Sequence, residues 1–167
     1  MSAAAVERAA QNDHMGEMVR DGVTRAVGAI GLAGIALIHT IDAPSHFVGG
    51  PDTWLGVMFI GVIASSLVLA AGLVVRGDRR FWAAAAGLSI SVIVGFTLSR
   101  TVGLPGDSGD IGNWSEPLGI SSLFVEGSLL MLSIATYAAK HTIARVRSLP
   151  GDLRPVETHS AGNLAAA

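Results

Sequence analysis

The stretch WLGVMFIGVIASSLVLAAGLVV, residues 54–75, decides the fold, because it contains no charged residue over its whole length. A helix that crosses about 30 Å of hydrocarbon needs roughly 20 predominantly apolar residues. Lipid offers no water to backbone amide and carbonyl groups, so a spanning segment must pair them internally as a helix. The stretch therefore predicts a transmembrane helix.

Three further apolar segments accompany this span. They cover about residues 24–43, 81–99 and 118–139. Gly77 and Asp78 give the second and third segments so short a connection that the two must run antiparallel. Trp54 and Trp82 begin those segments, where indole side chains commonly mark the membrane interfaces. We therefore predict an all-α fold, a four-helix transmembrane bundle with its membrane domain at residues 24–139.

The distribution of basic residues predicts the orientation of the bundle. Every Lys and Arg except Arg100 lies before the first span, between the second and third, or after the fourth. Because short cytoplasmic loops are enriched in Lys and Arg, we expect a multi-pass protein of the plasma (inner) membrane with both termini cytoplasmic. Loops 44–53 and 100–117 would then be extracytoplasmic. Residues 1–23 form a cytoplasmic N-terminal segment, and residues 140–167 form a cytoplasmic tail whose composition predicts disorder.

Composition narrows the class of protein. Half of the residues are hydrophobic and only 14% are charged, whereas a soluble domain carries about a quarter charged residues. We therefore expect the lipid bilayer to be its environment. The net charge of −2 offers nothing that attracts nucleic acid. The lack of cysteine excludes disulfides, thiolate metal sites and cysteine catalysis.

Glu126 is the most costly side chain within a predicted span. It would lie about 12 Å below the end of the fourth helix at 1.5 Å per residue. An ionised acid at such depth is unfavourable by roughly 2.5–3.5 kcal/mol on insertion scales. We expect Glu126 to be protonated, paired, or beside a wet cavity. Ser122, Ser133 and Tyr137 share its helix face, so this polar stripe should point into the bundle, either to pin helices together or to serve a function.

Arg100 ends the third span and is a natural partner for an acid. Its aliphatic stem can lie along apolar surface while the guanidinium reaches the interface. Glu126, Glu116 and Asp42 are the candidate partners. Because Arg makes bidentate contacts and keeps its proton, a structural clamp is favoured, with contact to an anion or a lipid headgroup as the alternative.

His39, Asp42 and His46 form a second polar cluster. On a straight helix they would share one face, which points to a divalent cation at the outer face, with Glu126 as a further ligand. The two histidines would, however, lie about 10.5 Å apart along the axis. Pro44 disfavours helix at the preceding residue, so we expect the helix to stop there and the next residues to turn. A metal site and a hydrogen-bonded interfacial role both stay open.

The loop of residues 100–117 is longer than a simple connection, which indicates a functional loop or a packed lid. Trp114 is expected to anchor it at the membrane interface. Pro117 is well placed to begin the fourth helix, and the charge of Glu116 is favourable beside the positive end of that helix. We therefore expect structural roles for Trp114 and for an Arg100–Glu116 ion pair.

Two motifs carry a resemblance to known proteins. Ser-Arg-Thr-Val-Gly-Leu-Pro-Gly at residues 99–106 and Trp-Ser-Glu-Pro-Leu-Gly at residues 114–119 resemble a group of small four-span membrane proteins of high-GC Gram-positive bacteria. The similarity extends to His39, His46, Glu126 and the Trp-Leu-Gly start of the second span, and it covers most of the membrane domain. It implies the four-span architecture and a shared feature at the Gly-Leu-Pro-Gly turn, and it implies no chemistry.

Two functions from different classes fit these observations. The first is a structural or accessory subunit that packs with itself, as a homo-oligomer, or within a larger membrane complex. The alternative is a cation-binding or proton- or ion-translocating protein that uses His39, Asp42, His46 and Glu126, because histidine titrates near physiological pH. An enzyme acting on lipid or quinone ranks third, since the sequence shows no nucleophile with an adjacent base and no metalloprotease, phosphate-loop or serine-hydrolase motif.

Overall fold

The computed structural model of the chain describes residues 3–47 and 53–147. Four long helices follow one another: α1 at Ala3–Asp42, α2 at Thr53–Val75, α3 at Arg79–Thr101 and α4 at Pro117–Arg147. A short 3-10 helix, Ala43–Phe47, follows α1, and the described part contains no β-strand. Each of the four helices is long and apolar enough to cross a membrane. The predicted all-α four-helix bundle is confirmed, and the protein is a multi-pass integral membrane protein.

Two helix ends lie where the sequence carries a specific signal. α1 ends at Asp42, two residues before Pro44, whose ring cannot continue the helix. α4 begins at Pro117. The carboxylate of Glu116 accepts a hydrogen bond from the backbone N–H of Gly119 at 3.2 Å, which satisfies one of the unpaired donors of the first turn.

α1 extends well beyond the predicted first span. It runs for 40 residues, so residues 3–23 continue the apolar helix and do not form a separate one. Ala, Glu, Arg and Met are abundant in this part and no Pro interrupts it, which favours helix. α4 likewise continues past residue 139. The division of the chain into membrane and cytoplasmic parts stays a prediction, and most of the predicted disordered tail, residues 148–167, lies outside the described residues.

The helices pack as two close pairs. α1 lies along α2, α3 lies along α4, and α1 also contacts α4. Glycine permits the α1–α4 approach: a Cβ atom at Gly31 would lie 3.4 Å from the side chain of Leu129, and one at Gly34 would lie 3.3 Å from that of Val125. Small residues serve this purpose in lipid, where no hydrophobic effect drives helices together. α2 and α3 contact each other much less, although the turn at Gly77 joins them.

Trp82 belongs to the apolar core. The core cluster comprises Leu32, Ile35, Leu73, Trp82, Ala85 and Leu129. Its indole is fully buried, so Trp82 packs against the other helices and does not face lipid, and its level at a membrane interface stays a prediction. A Cβ atom at Gly28 would lie 2.7 Å from this ring. Because Gly28 has no side chain, the indole of Trp82 can pack directly against the backbone of α1.

One end of the bundle, which we call the basic end, is held together by cations. Arg25 donates through Nε to the carbonyl oxygen of Leu73 at 2.7 Å and through Nη2 to that of Val74. A cation is favourable there because the last carbonyl groups of a helix have no partners within it. Lys140 of α4 pairs with Asp21 of α1 at 2.8 Å. These contacts join α1 to both α2 and α4.

Candidate functional site

The opposite end of the bundle, which we call the loop end, carries the 3-10 helix and the loop of residues 102–116. A cavity of about 380 Å³ lies there among the helices, within the range of roughly 300–1,000 Å³ typical of small-molecule sites. Residues of both α2 and α3 line it, and these two helices contact each other less than the close pairs do. Most of the lining is apolar, and it includes three aromatic side chains, Trp54, Phe59 and Phe96.

Arg100 lies in the cavity wall and holds the loop against the bundle. It is only 6% exposed. Its Nη2 donates to Glu116 Oε2 at 2.8 Å, and its Nη1 pairs with Asp110. The guanidinium carbon also lies 4.7 Å from the ring centre of Phe96, which adds a cation–π contact. Of the three acids considered from the sequence, the structure thus pairs Arg100 with Glu116.

Asp110 and Phe96 were not predicted as partners of Arg100. Phe96 could have been found, because it precedes Arg100 by four residues on α3 and therefore shares its face. Asp110 reaches Arg100 only because the loop turns back on itself. Gly112 donates its backbone N–H to the carbonyl oxygen of Arg100 at 2.9 Å and has a φ of +80°, a conformation that glycine adopts without strain. Residue spacing alone does not reveal such a turn.

The loop of residues 102–116 packs over the cavity. Trp54 donates its indole N–H to the carbonyl oxygen of Pro105 at 2.8 Å, which ties the start of α2 to the loop. Trp114 is half exposed and meets Phe96 edge-on with ring centres 6.1 Å apart. Trp114 therefore contacts α3, and its place at a membrane interface stays a prediction.

The two predicted histidines meet the same aromatic ring. His39 and His46 each lie edge-on to Phe59, with ring centres 5.0 Å apart in both cases. His39 is buried, and its Nδ1 donates to the carbonyl oxygen of Ile35 at 2.9 Å. The proton of a neutral His39 ring is then on Nδ1, which leaves a lone pair on Nε2. Both histidines line the cavity together with Asp42.

Glu126 lies behind the cavity wall. It is fully buried, and Ser122, which does line the cavity, donates its hydroxyl to Glu126 Oε1 at 2.6 Å. Oε2 has no hydrogen-bond partner among the described residues. Ser133, farther along the same face, is also fully buried, whereas Tyr137 is 40% exposed. The predicted polar stripe therefore points inward as far as Ser133 and leaves the interior at Tyr137.

The four predicted metal ligands do not form one cluster. Three of them, His39, Asp42 and His46, line the cavity, but Glu126 is separated from it by Ser122. Across residues 3–47 and 53–147, no group of three or more His, Asp or Glu side chains is placed to hold a metal ion. A divalent-cation site at these residues stays a prediction.

Negative charge exceeds positive charge around the cavity. Four carboxylates line it, those of Asp42, Asp107, Asp110 and Glu116, against the single guanidinium of Arg100. Within the described chain Arg100 pairs with Asp110 and Glu116, and the other two acids form no ion pair. An apolar, aromatic cavity with uncompensated carboxylates suits a molecule that has an apolar body and a positive charge. Comparison with protein-family models, curated proteins and solved structures finds no match to this chain.

Proposed function

We propose that this membrane protein binds a small organic cation with an apolar body in the loop-end cavity. One observation carries the proposal: the cavity combines an apolar, aromatic lining with two carboxylates, Asp42 and Asp107, that no described cation neutralises. Aromatic faces attract cations, and carboxylates at the mouth raise the local concentration of positively charged ligands.

An organic cation fits this cavity better than a metal ion does. A divalent metal needs several converging oxygen or nitrogen ligands at about 2.0–2.6 Å. No such group exists among the described residues. The apolar surface of Phe59, Phe96 and Met58 offers nothing to a hydrated metal ion, but it stabilises a ligand with hydrocarbon or aromatic groups.

The cavity is proposed to open toward the outside of the plasma membrane. Support comes from the basic end, where Arg25, Arg76, Arg79 and Arg80 gather near the helix ends, because Lys and Arg remain on the cytoplasmic side. The protein would then take its ligand from the outer side of the membrane.

Binding of tetraphenylphosphonium to the purified protein, measured by isothermal titration calorimetry, tests the proposal. Tetraphenylborate, an anion of nearly the same size and shape, is the matched probe. We expect the cation to bind more tightly, and the double substitution Asp42→Asn, Asp107→Asn to weaken it by about tenfold, or about 1.4 kcal/mol. Asp78→Asn is the matched control, because it removes one exposed carboxylate at the basic end and the Asp78 side chain does not cap α3. This substitution should leave the affinity for tetraphenylphosphonium unchanged. Equal affinity for the two probes would contradict the proposal.

A second candidate function is that of an accessory subunit in a homo-oligomer or a larger membrane complex. It is favoured by two glycines, Gly61 of α2 and Gly87 of α3, beside which a Cβ atom would meet nothing within 4 Å. Both are exposed on the bundle surface. Close approach of another helix at such positions is a common way for helices to associate in lipid.

A further inference from the structure

We propose that Glu126 is an exchangeable proton site, which gains and loses its proton through Ser122 and the loop-end cavity. Where this site is coupled to an organic cation, the inference rests on the proposed function. The proton site itself does not depend on that function, because it follows from the burial and the contacts of Glu126.

The first step concerns the charge of Glu126. An ionised carboxylate that is removed from water needs a cation or several hydrogen-bond donors. Glu126 is fully buried and receives one hydrogen bond, from Ser122. No described Lys or Arg forms an ion pair with it. The carboxyl group is therefore held as the neutral acid.

The charged and titratable groups of the neighbouring elements agree with this conclusion. α1 and α3 pack against α4. α1 offers His39 and Asp42 near the cavity, and α3 offers Arg100, which already pairs with Asp110 and Glu116. The loop adds a third acid, Asp107, and the 3-10 helix adds His46. α2 carries no titratable residue, and the remaining titratable residues of α1, α3 and α4 fall within residues 7–25, 79–80 and 137–147, at and beyond the basic end.

The second step concerns access to the proton. Ser122 both lines the cavity and donates to Glu126 Oε1 at 2.6 Å. A hydroxyl group donates one hydrogen bond and still accepts others. In the neutral acid the same pair of oxygens holds the bond in the opposite sense, with the proton on Oε1 donated to Ser122 Oγ and the Ser122 hydroxyl turned toward the cavity. The proton leaves the carboxyl group when Ser122 accepts it and releases its own hydroxyl proton to an acceptor in the cavity. One proton moves outward, Ser122 is restored, and Glu126 is left as the carboxylate.

The third step identifies the acceptor in the cavity. Gly31 and Gly34 of α1 lie against Leu129 and Val125 of the antiparallel α4. Continued five residues along α1, the same register places His39 within two residues, or about 3 Å along the axis, of the level of Ser122. His39 lines the same cavity and keeps a lone pair on Nε2, because its Nδ1 donates to the backbone. His39 is therefore the group best placed to receive the proton.

The last step couples the proton to the proposed ligand. A positive charge held beside Ser122 stabilises the carboxylate form of Glu126. Binding of the cation therefore favours loss of the proton, and by reciprocity loss of the proton strengthens binding of the cation. The protein would exchange one for the other at the floor of the cavity.

Reaction with dicyclohexylcarbodiimide in native membranes tests the proton site, because this apolar reagent enters lipid and requires a protonated carboxyl group. The acid proton moves to a carbodiimide nitrogen, the carboxyl oxygen adds to the central carbon, and an oxygen-to-nitrogen acyl shift gives a stable N-acylurea with no leaving group. We expect peptide mass spectrometry of the wild-type protein to find the adduct on Glu126, and Glu126→Gln to lack it. In the Asp78→Asn protein, Glu126 should be modified to the same extent as in the wild type.

Two results would overturn the proton site. In the first, thermal unfolding shows that the wild-type protein is folded, yet Glu126 stays unmodified while other carboxyl groups react. The other is modification of Glu126 at the same rate by a charged, water-soluble carbodiimide, which would show that the carboxyl group is open to water and not held neutral in the interior.

Proton release on addition of tetraphenylphosphonium tests the coupling. In weak buffer with a pH indicator, we expect the wild-type protein to release protons in proportion to the cation that it binds. The Glu126→Gln protein should bind the cation without releasing protons. Binding without proton release would overturn the coupling and leave the proposed function intact. Modification of Glu126 by the carbodiimide in a protein that binds no cation would overturn the proposed function and leave the proton site intact.

Discussion

At the scale of single residues, Arg100 shows how one side chain holds several segments together. Its two terminal nitrogens bind different carboxylates, and the flat face of its guanidinium lies over Phe96. The sequence predicts the pair with Glu116, because the proline that follows Glu116 fixes where α4 begins. It does not predict the pair with Asp110, which depends on a glycine turn within the loop.

Arg100→Lys should destabilise the protein by about 1–3 kcal/mol, because one ammonium group cannot bind two carboxylates and lie over a ring at the same time. Thermal unfolding in detergent measures the loss. Arg79→Lys, an exposed change at the basic end, is the matched control and should leave the unfolding temperature where it was. An Arg100→Lys protein as stable as the control would show that the two ion pairs contribute little.

At the scale of helices, small residues decide which pairs approach closely. Hydropathy predicts four spans, but it does not say which faces meet, since all four helices are apolar on nearly every side. Gly28, Gly31 and Gly34 recur on one face of α1 and lie against Trp82, Leu129 and Val125. The burial of Trp82 follows from that arrangement, and its position at the start of a span gave no sign of it.

Gly28→Ala should destabilise the bundle by about 1–3 kcal/mol, because the added methyl group would lie 2.7 Å from the Trp82 ring. Gly22→Ala, an exposed position on the same helix, adds the same group where nothing lies within 4 Å, and it should be neutral or slightly stabilising, as alanine is the better helix former. Chemical denaturation of both variants in the same detergent makes the comparison. If the two substitutions lower the free energy of unfolding equally, the packing of Trp82 does not depend on glycine at position 28.

At the scale of the whole molecule, the bundle is closed at one end and divided at the other. Cation contacts at Arg25 and Lys140 close the basic end, whereas α2 and α3, which contact each other little, both line the cavity at the loop end. The cavity therefore follows from unequal packing along the helices. A hydropathy pattern predicts the number of spans and, through the basic residues, an orientation, but it carries no information about where two apolar helices separate.

The polar residues that the sequence singles out within the spans lie toward the loop end of the bundle. Polar residues that are costly in lipid, among them His39, Arg100 and Glu126, all lie at or behind the cavity. The sequence alone identifies these residues as ones that need partners, because polar groups within membrane spans are rare and costly. The sequence does not predict how these residues are arranged. Phe59 of α2 lies against both histidines, and Ser122 lies between Glu126 and the cavity.

The proposed cavity attracts cations and opens at the outer face of the membrane, and a single cysteine tests both properties directly. The chain has no cysteine of its own. Gly95 lines the cavity, and a Cβ atom there would meet nothing within 4 Å, so Gly95→Cys places one thiol in the site. The measurement is its rate of modification in intact cells by a membrane-impermeant cationic methanethiosulfonate and by the anionic sulfonate counterpart. We predict faster reaction with the cationic reagent, and protection by tetraphenylphosphonium. Reaction only after lysis, or equal rates without protection, would contradict the account.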